Sequence, residues 1–173
     1  MANPLTQALH DWQNFYLLAG TASATLTGLL FVAVSLGTHM VVGREDSIRT
    51  FVTPTLVHLI AVVVIAGVML IPTHTIRSLS GALLVIGVTS VTYALQIILQ
   101  MRRGLNRDSV DRAHWVWHAA LPLASYATVA GVAIWLLNGS LGALDGLVAS
   151  AALLMIVGVH NAWDLVLWLV RNR

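Results

Sequence analysis

His160 and Asp164 lie one helical turn apart near the C-terminus, and with Asn161 between them they form the densest chemistry in this chain. At i,i+4 the two side chains meet on one helix face, where a carboxylate fixes the tautomer of an imidazole. A second reading has Asp164 pair with Arg171 or Arg103 and staple the fold. His39, His58, Gln96, Gln100 and His118 extend the set of polar side chains that lie within long apolar runs. His114 and His118 repeat the i,i+4 spacing that binds zinc on helices. They lack an intervening glutamate and a third ligand in sequence, so no metal site is predicted. His58 and His160 sit at similar depth on different segments, a placement compatible with axial ligation of a b-type haem. Hydrogen-bonded core histidines are the plainer reading, and no cofactor is predicted. The chain has no cysteine, which excludes disulfides, thiolate nucleophiles and iron–sulfur clusters. No nucleophile–base pair and no paired carboxylates stand out, so a non-enzymatic protein is expected.

The segments that carry these residues are strongly apolar. The chain is 58% hydrophobic and only 9% charged, against about 25% charged in ordinary soluble domains. Five spans follow from the hydrophobic runs, at about 14–42, 51–71, 79–101, 114–137 and 141–170. The expected fold is an all-α integral membrane bundle of five transmembrane helices forming a single domain, 1–173. Residues 4–16 read as an interfacial helical turn, with Leu5, Leu9, Trp12 and Tyr16 at helical spacing. No cleaved signal peptide is expected, because nothing basic precedes the first apolar run.

Charge sets the expected orientation. All nine basic residues are arginines. With five spans, Arg44, Arg49, Arg102, Arg103, Arg107, Arg112, Arg171 and Arg173 fall on one side, and Arg77 alone falls on the other. The positive-inside rule then places the N-terminus outside and the C-terminus in the cytoplasm. Trp12 and Trp135 fall at the predicted outer boundary, and Trp115, Trp117 and Trp168 near the inner one, as an aromatic belt requires. The same topology accounts for a pI near 9.7, so no nucleic-acid partner is expected.

Polar residues form stripes within the spans, and such residues usually face a bundle interior or water. Thr21, Thr25, Gly28, Ser35 and His39 share one face of the first span. Thr89, Thr92, Tyr93, Gln96 and Gln100 share one face of the third, and Gly142, Gly146, Ala149, His160 and Asp164 one face of the fifth. Gly20, Ala24 and Gly28 recur every four residues, the small-residue spacing that lets membrane helices approach. Gly142 and Gly146 repeat it. At 1.5 Å rise per residue, Asp164 lies roughly 10 Å and His160 roughly 16 Å along the helix from Arg171. His39, His58, Gln96 and His118 fall in the same half, so every span contributes to one polar layer on the cytoplasmic side. Pro122 removes a helical hydrogen bond and displaces the carbonyl of His118.

The run from Ala22 to Leu36 (ASATLTGLLFVAVSL) and the later Asn161-Ala162-Trp163-Asp164-Leu165-Val166 resemble a group of small uncharacterised bacterial multi-pass membrane proteins. Some of these are labelled modulators of a membrane-anchored AAA protease. The resemblance covers the first and fifth spans, about a third of the chain. It implies a bacterial inner (plasma) membrane and no known enzymatic chemistry, and it transfers no catalytic residue.

Two functional expectations follow. The first is a membrane scaffold or modulator acting through helix–helix contacts with a second copy of itself or a membrane-protein partner in the lipid bilayer. The second is an oligomeric ion, proton or small-solute conduit lined by the inner polar layer. Haem or metal binding through the intramembrane histidines is the third and least expected. Five spans cannot divide into two equal inverted halves, which argues against a single-chain transporter.

Overall fold

The computed structural model describes residues 4–36, 52–104 and 115–171. All regular structure among them is helical. The elements are α1 (Pro4–Asp11), α2 (Gln13–Leu36), α3 (Thr53–Met69), α4 (Ile76–Gly104), α5 (Leu121–Leu137) and α6 (Leu144–Arg171). A π-helical turn (Val116–Ala120) leads into α5, and a 3-10 turn (Leu141–Ala143) leads into α6.

Four helical segments among the described residues are long and apolar enough to cross a membrane: Gln13–Leu36, Ile76–Gln100, Val116–Leu137 and Leu141–Leu167. Helix α3 is shorter, with 17 residues, about 25 Å at 1.5 Å per residue. Leu18, Leu29, Phe31, Val85 and Trp163 are large apolar side chains left exposed on the outer surface. A water-facing surface rarely carries apolar area on that scale, whereas lipid accepts it.

Close contacts fix the helix directions. Gly20 near the start of α2 meets Ala66 near the end of α3, and Gly87 of α4 meets Ala130 of α5. Gly146 of α6 meets Val132 of α5, and Gly158 meets Leu59 of α3. With the short turns that join α3 to α4 and α5 to α6, these four pairs run antiparallel. One end of the bundle therefore gathers α1, the α3–α4 turn and the α5–α6 turn, and is called the first end below. The second end carries the C-terminus of α6. Helix α6 is central, touching α2, α3 and α5, and its apolar window is 44% buried against 17% for α2.

Local signals explain the boundaries. Pro54 sits in the first turn of α3, where its missing N–H costs nothing. Thr75 and Ser78 cap α4 reciprocally: Ser78 N donates to Thr75 Oγ1 at 3.2 Å, and Thr75 N to Ser78 Oγ at 2.9 Å. Pro122 produces a π turn: the Leu121 N–H reaches back five residues to the Val116 carbonyl. A π turn absorbs the bond that proline cannot make.

The segment at 4–16 is helical, as α1 followed directly by α2, with Leu5 and Leu9 buried in the common core. The expected small-residue packing faces are corrected. Of the Gly20, Ala24 and Gly28 series only Gly20 meets another helix, with Ala66 Cβ 2.9 Å from where its own Cβ would stand. Ala24 and Gly28 face outward, because steps of four drift off the buried face of a straight helix. Gly142 is likewise open, whereas Gly146 lies 3.3 Å from Val132 Cγ2 by the same measure.

Candidate functional site

The two halves of the bundle differ in chemistry. Toward the first end, Ile65, Met69, Leu79, Leu83, Leu136, Leu144 and Leu147 form a mainly apolar core, which also encloses the buried hydroxyls of Tyr16 and Ser80. Toward the second end, the buried face of α6 (Leu147, Ala151, Leu154, Gly158) continues into Asn161, and that of α3 into His58 and Thr55.

His58 is buried, and its Nδ1 shares a 2.7 Å hydrogen bond with the Tyr126 hydroxyl of α5. If Tyr126 donates, Nε2 of His58 carries the ring proton; if Nδ1–H donates to the tyrosine oxygen, Nε2 is a bare acceptor. In both tautomers Nε2 points into the protein with no hydrogen-bond partner among the described residues. Asn161 is 2% exposed, and neither Nδ2 nor Oδ1 of its amide has a partner there. Leu59 packs on Gly158, so His58 and Asn161 both lie within one turn of this crossing of α3 and α6, on its second-end side.

His160 and Asp164 occupy the second-end side of this crossing. His160 Nδ1 stands 3.4 Å from Asp164 Oδ2, and both side chains are about a third exposed. The ring of His160 stacks on Trp117 at 4.0 Å and 15°. Trp117 belongs to the π turn, as does His118, an electrostatic neighbour of His58. Proline-induced backbone geometry thus presents Trp117 and His118 to α6 and α3. A buried hydroxyl ties α5 to α6 nearby, with Ser150 Oγ donating to the Ser125 carbonyl at 2.8 Å.

The expected polar layer is therefore divided. His58 and Asn161 face inward, and His118, His160 and Asp164 are partly covered. Gln96 and Gln100 are exposed on the outer face of α4, together with Thr89 and Thr92. The hydroxyls of Thr89 and Thr92 donate to their own helix, at Val85 and Val88 carbonyls. Thr21, Thr25 and Ser35 of α2 also face outward. His39 and His114 lie outside the described residues, as do the side chains of Arg103 and Arg171. His58 and His160, whose similar depth is compatible with haem ligation, have different neighbours, Tyr126 and Trp117. Among the described residues no three His, Cys, Asp or Glu side chains group as metal ligands.

Reading the sequence alone does not single out Tyr126, Gly87 or Gly158. The tyrosine is one aromatic in an apolar run, and the two glycines have no repeat partners. The proline at 122 is the one legible signal for the π turn. Comparison with protein-family models, with curated proteins and with solved structures gives no match.

Proposed function

We propose that this chain is a non-enzymatic scaffold or modulator of the membrane, assembling through the outward polar faces of α4 and α2. The observation that carries this reading is Gln96, exposed on an apolar helix. An amide in hydrocarbon without a partner costs several kcal/mol, and small or amide-bearing faces are how membrane helices associate. Gln100, Thr89 and Thr92 continue the face on α4, and Thr21, Ala24, Thr25 and Gly28 supply a smooth one on α2. A second copy of the chain satisfies Gln96 by amide–amide hydrogen bonds across a symmetric contact. The resemblance of Ala22–Leu36 and Asn161–Val166 to small bacterial multi-pass proteins supports the same class, and with it a bacterial inner membrane. In this reading α3 is a fifth, short span, since 17 residues meets the lower limit of about 17–25. The arginine distribution then puts the first end outside and the second end in the cytoplasm.

The experiment is native mass of the protein in lipid nanodiscs, before and after Gln96→Leu with Gln100→Leu. Wild type assembles, and the variant runs as a monomer with unchanged melting temperature. A monomeric wild type across protein concentrations overturns the reading.

The same glutamines favour one other reading, a conduit between protomers lined by the α4 face. It requires ion or proton flux in proteoliposomes that the double variant abolishes.

A further inference from the structure

The buried amide of Asn161 and the Nε2 of His58 lie on facing helices at the α3–α6 crossing, and both lack partners among the described residues. The large majority of buried side-chain polar atoms in folded proteins are hydrogen-bonded, so two such groups beside one crossing require an account. Asn161 is held in place by packing, on the same α6 face as Gly158 and Leu165. Helix α2 adds a third group. Its register with α3 is set where Gly20 meets Ala66. Seven residues further, roughly 10 Å along both helices, Thr27 comes level with Leu59, next to His58. The Thr27 hydroxyl is also buried without a partner among the described residues.

We propose that this crossing is a binding site for water, held by His58 Nε2, the Asn161 amide and the Thr27 hydroxyl. The donor set selects the ligand class. A histidine nitrogen, a carboxamide and a hydroxyl are all neutral and include both donors and acceptors. They suit a small uncharged molecule that both donates and accepts. They do not suit an anion, which needs a positive charge, or a divalent cation, which needs carboxylates or several oxygens. Water meets the requirement at the smallest volume, and a buried water typically makes about three hydrogen bonds to otherwise unsatisfied groups.

We place its route on the side of the second end, where His160 and Asp164 are about a third exposed and stand three residues or fewer from Asn161, past the buried Leu165. Toward the first end the way is shut by Val62, Ile65 and Ala66 of α3 against Ala19 of α2 and Leu154 of α6, all buried. The site is thus a hydrated pocket closed on one side, independent of whether the protein assembles.

The decisive measurement is nuclear magnetic resonance of the folded, full-length protein in nanodiscs, with nitrogen-labelled Asn and His. Cross-peaks at the water proton frequency to the Asn161 side-chain NH2, in H2O and with deuterated lipid, are expected. Absence of any such cross-peak for an assigned Asn161 amide overturns the proposal. Cross-peaks at carbon-bound proton frequencies, gained when protonated lipid is used, come from an organic or lipid occupant and also overturn it. Stability supplies a separate arm through Asn161→Leu, which is close to isosteric. If water bridges the groups, leucine expels it and strands His58 Nε2, and the melting temperature falls. If the crossing is dry, leucine removes an unsatisfied amide and the melting temperature rises, which overturns the proposal. Should the leucine variant fail to fold, the cross-peak experiment on wild type still decides.

Discussion

A Cβ added to Gly87 would stand 2.7 Å from the backbone nitrogen of Ala130 and 2.8 Å from its Cα. Helices α4 and α5 therefore touch backbone to backbone at this point, and only glycine fits. Among the described residues their contact is the most extensive between any two helices.

Gly87→Ala is expected to lower stability by about 1–3 kcal/mol, the cost of overpacking a close contact. The backbone of Ala130 cannot rotate away as a side-chain tip does. Gly28→Leu is expected to leave the melting temperature of the protomer unchanged, since nothing lies within 4 Å of the added Cβ. Thermal unfolding of both variants in detergent checks the contrast. A stable Gly87→Ala, or a Gly28→Leu that melts early as a monomer, would contradict the helix faces described above.

The contrast also marks what the sequence reveals. Spans at 79–101, 114–137 and 141–170 are legible because lipid demands long apolar helices, and α4, the π turn with α5, and α6 follow them to within a few residues. Pro54 and Pro122 mark helix starts through a missing N–H, which any reader of the chain can see. Faces are harder. Helix α2 is apolar nearly all round, so Gly20-Ala24-Gly28 spacing cannot say which side meets protein. Gln96 and Gln100 look inward by burial cost alone, and only the packing of α4 against α5 turns them out. His58 is visible as a buried histidine, but its partner Tyr126 is 68 residues away, beyond any local pattern.

Tyr126→Phe is expected to destabilise the bundle by about 1–3 kcal/mol, the cost of leaving a buried polar atom unpaired. Here that atom is His58 Nδ1, on a ring that is itself 3% exposed. Combining it with His58→Phe should cost less than the sum of the two single changes, because partners in one hydrogen bond do not act additively. Melting temperatures of the four proteins give the coupling. Strict additivity would mean that the 2.7 Å contact contributes nothing.

Reporter fusions test the proposed orientation. A reporter after Arg173 should read cytoplasmic, and one within the turn at Asn138–Gly139 should read external. The eight-to-one division of the nine arginines and the exposed Arg77 at the first end beside the α3–α4 turn favour that orientation. If α3 does not span, the number of crossings after α2 changes, and a reporter between Leu36 and Val52 then lies on the same side as one placed at Thr73. Opposite readings at those two sites require that α3 crosses.

Asp164→Asn separates the remaining accounts of the inner acid. The described partner of Asp164 is His160, at 3.4 Å and about a third exposed. A pair this exposed contributes about 0–1 kcal/mol where it reaches interfacial water. The variant is therefore expected to stay within about 1 kcal/mol of wild type, with the same oligomer size in nanodiscs. A loss of about 3–5 kcal/mol would instead be the signature of a buried pair broken on one side, and would assign Asp164 to stapling a cation such as Arg103 or Arg171. Flux completes the test. The assembly proposed through Gln96 needs no charge at Asp164, so proteoliposomes should pass no ions or protons with either protein. Flux in wild type that Asp164→Asn abolishes at unchanged stability would move the acid from a structural neighbour of His160 into a conducting path, and the conduit would replace the scaffold as the better reading.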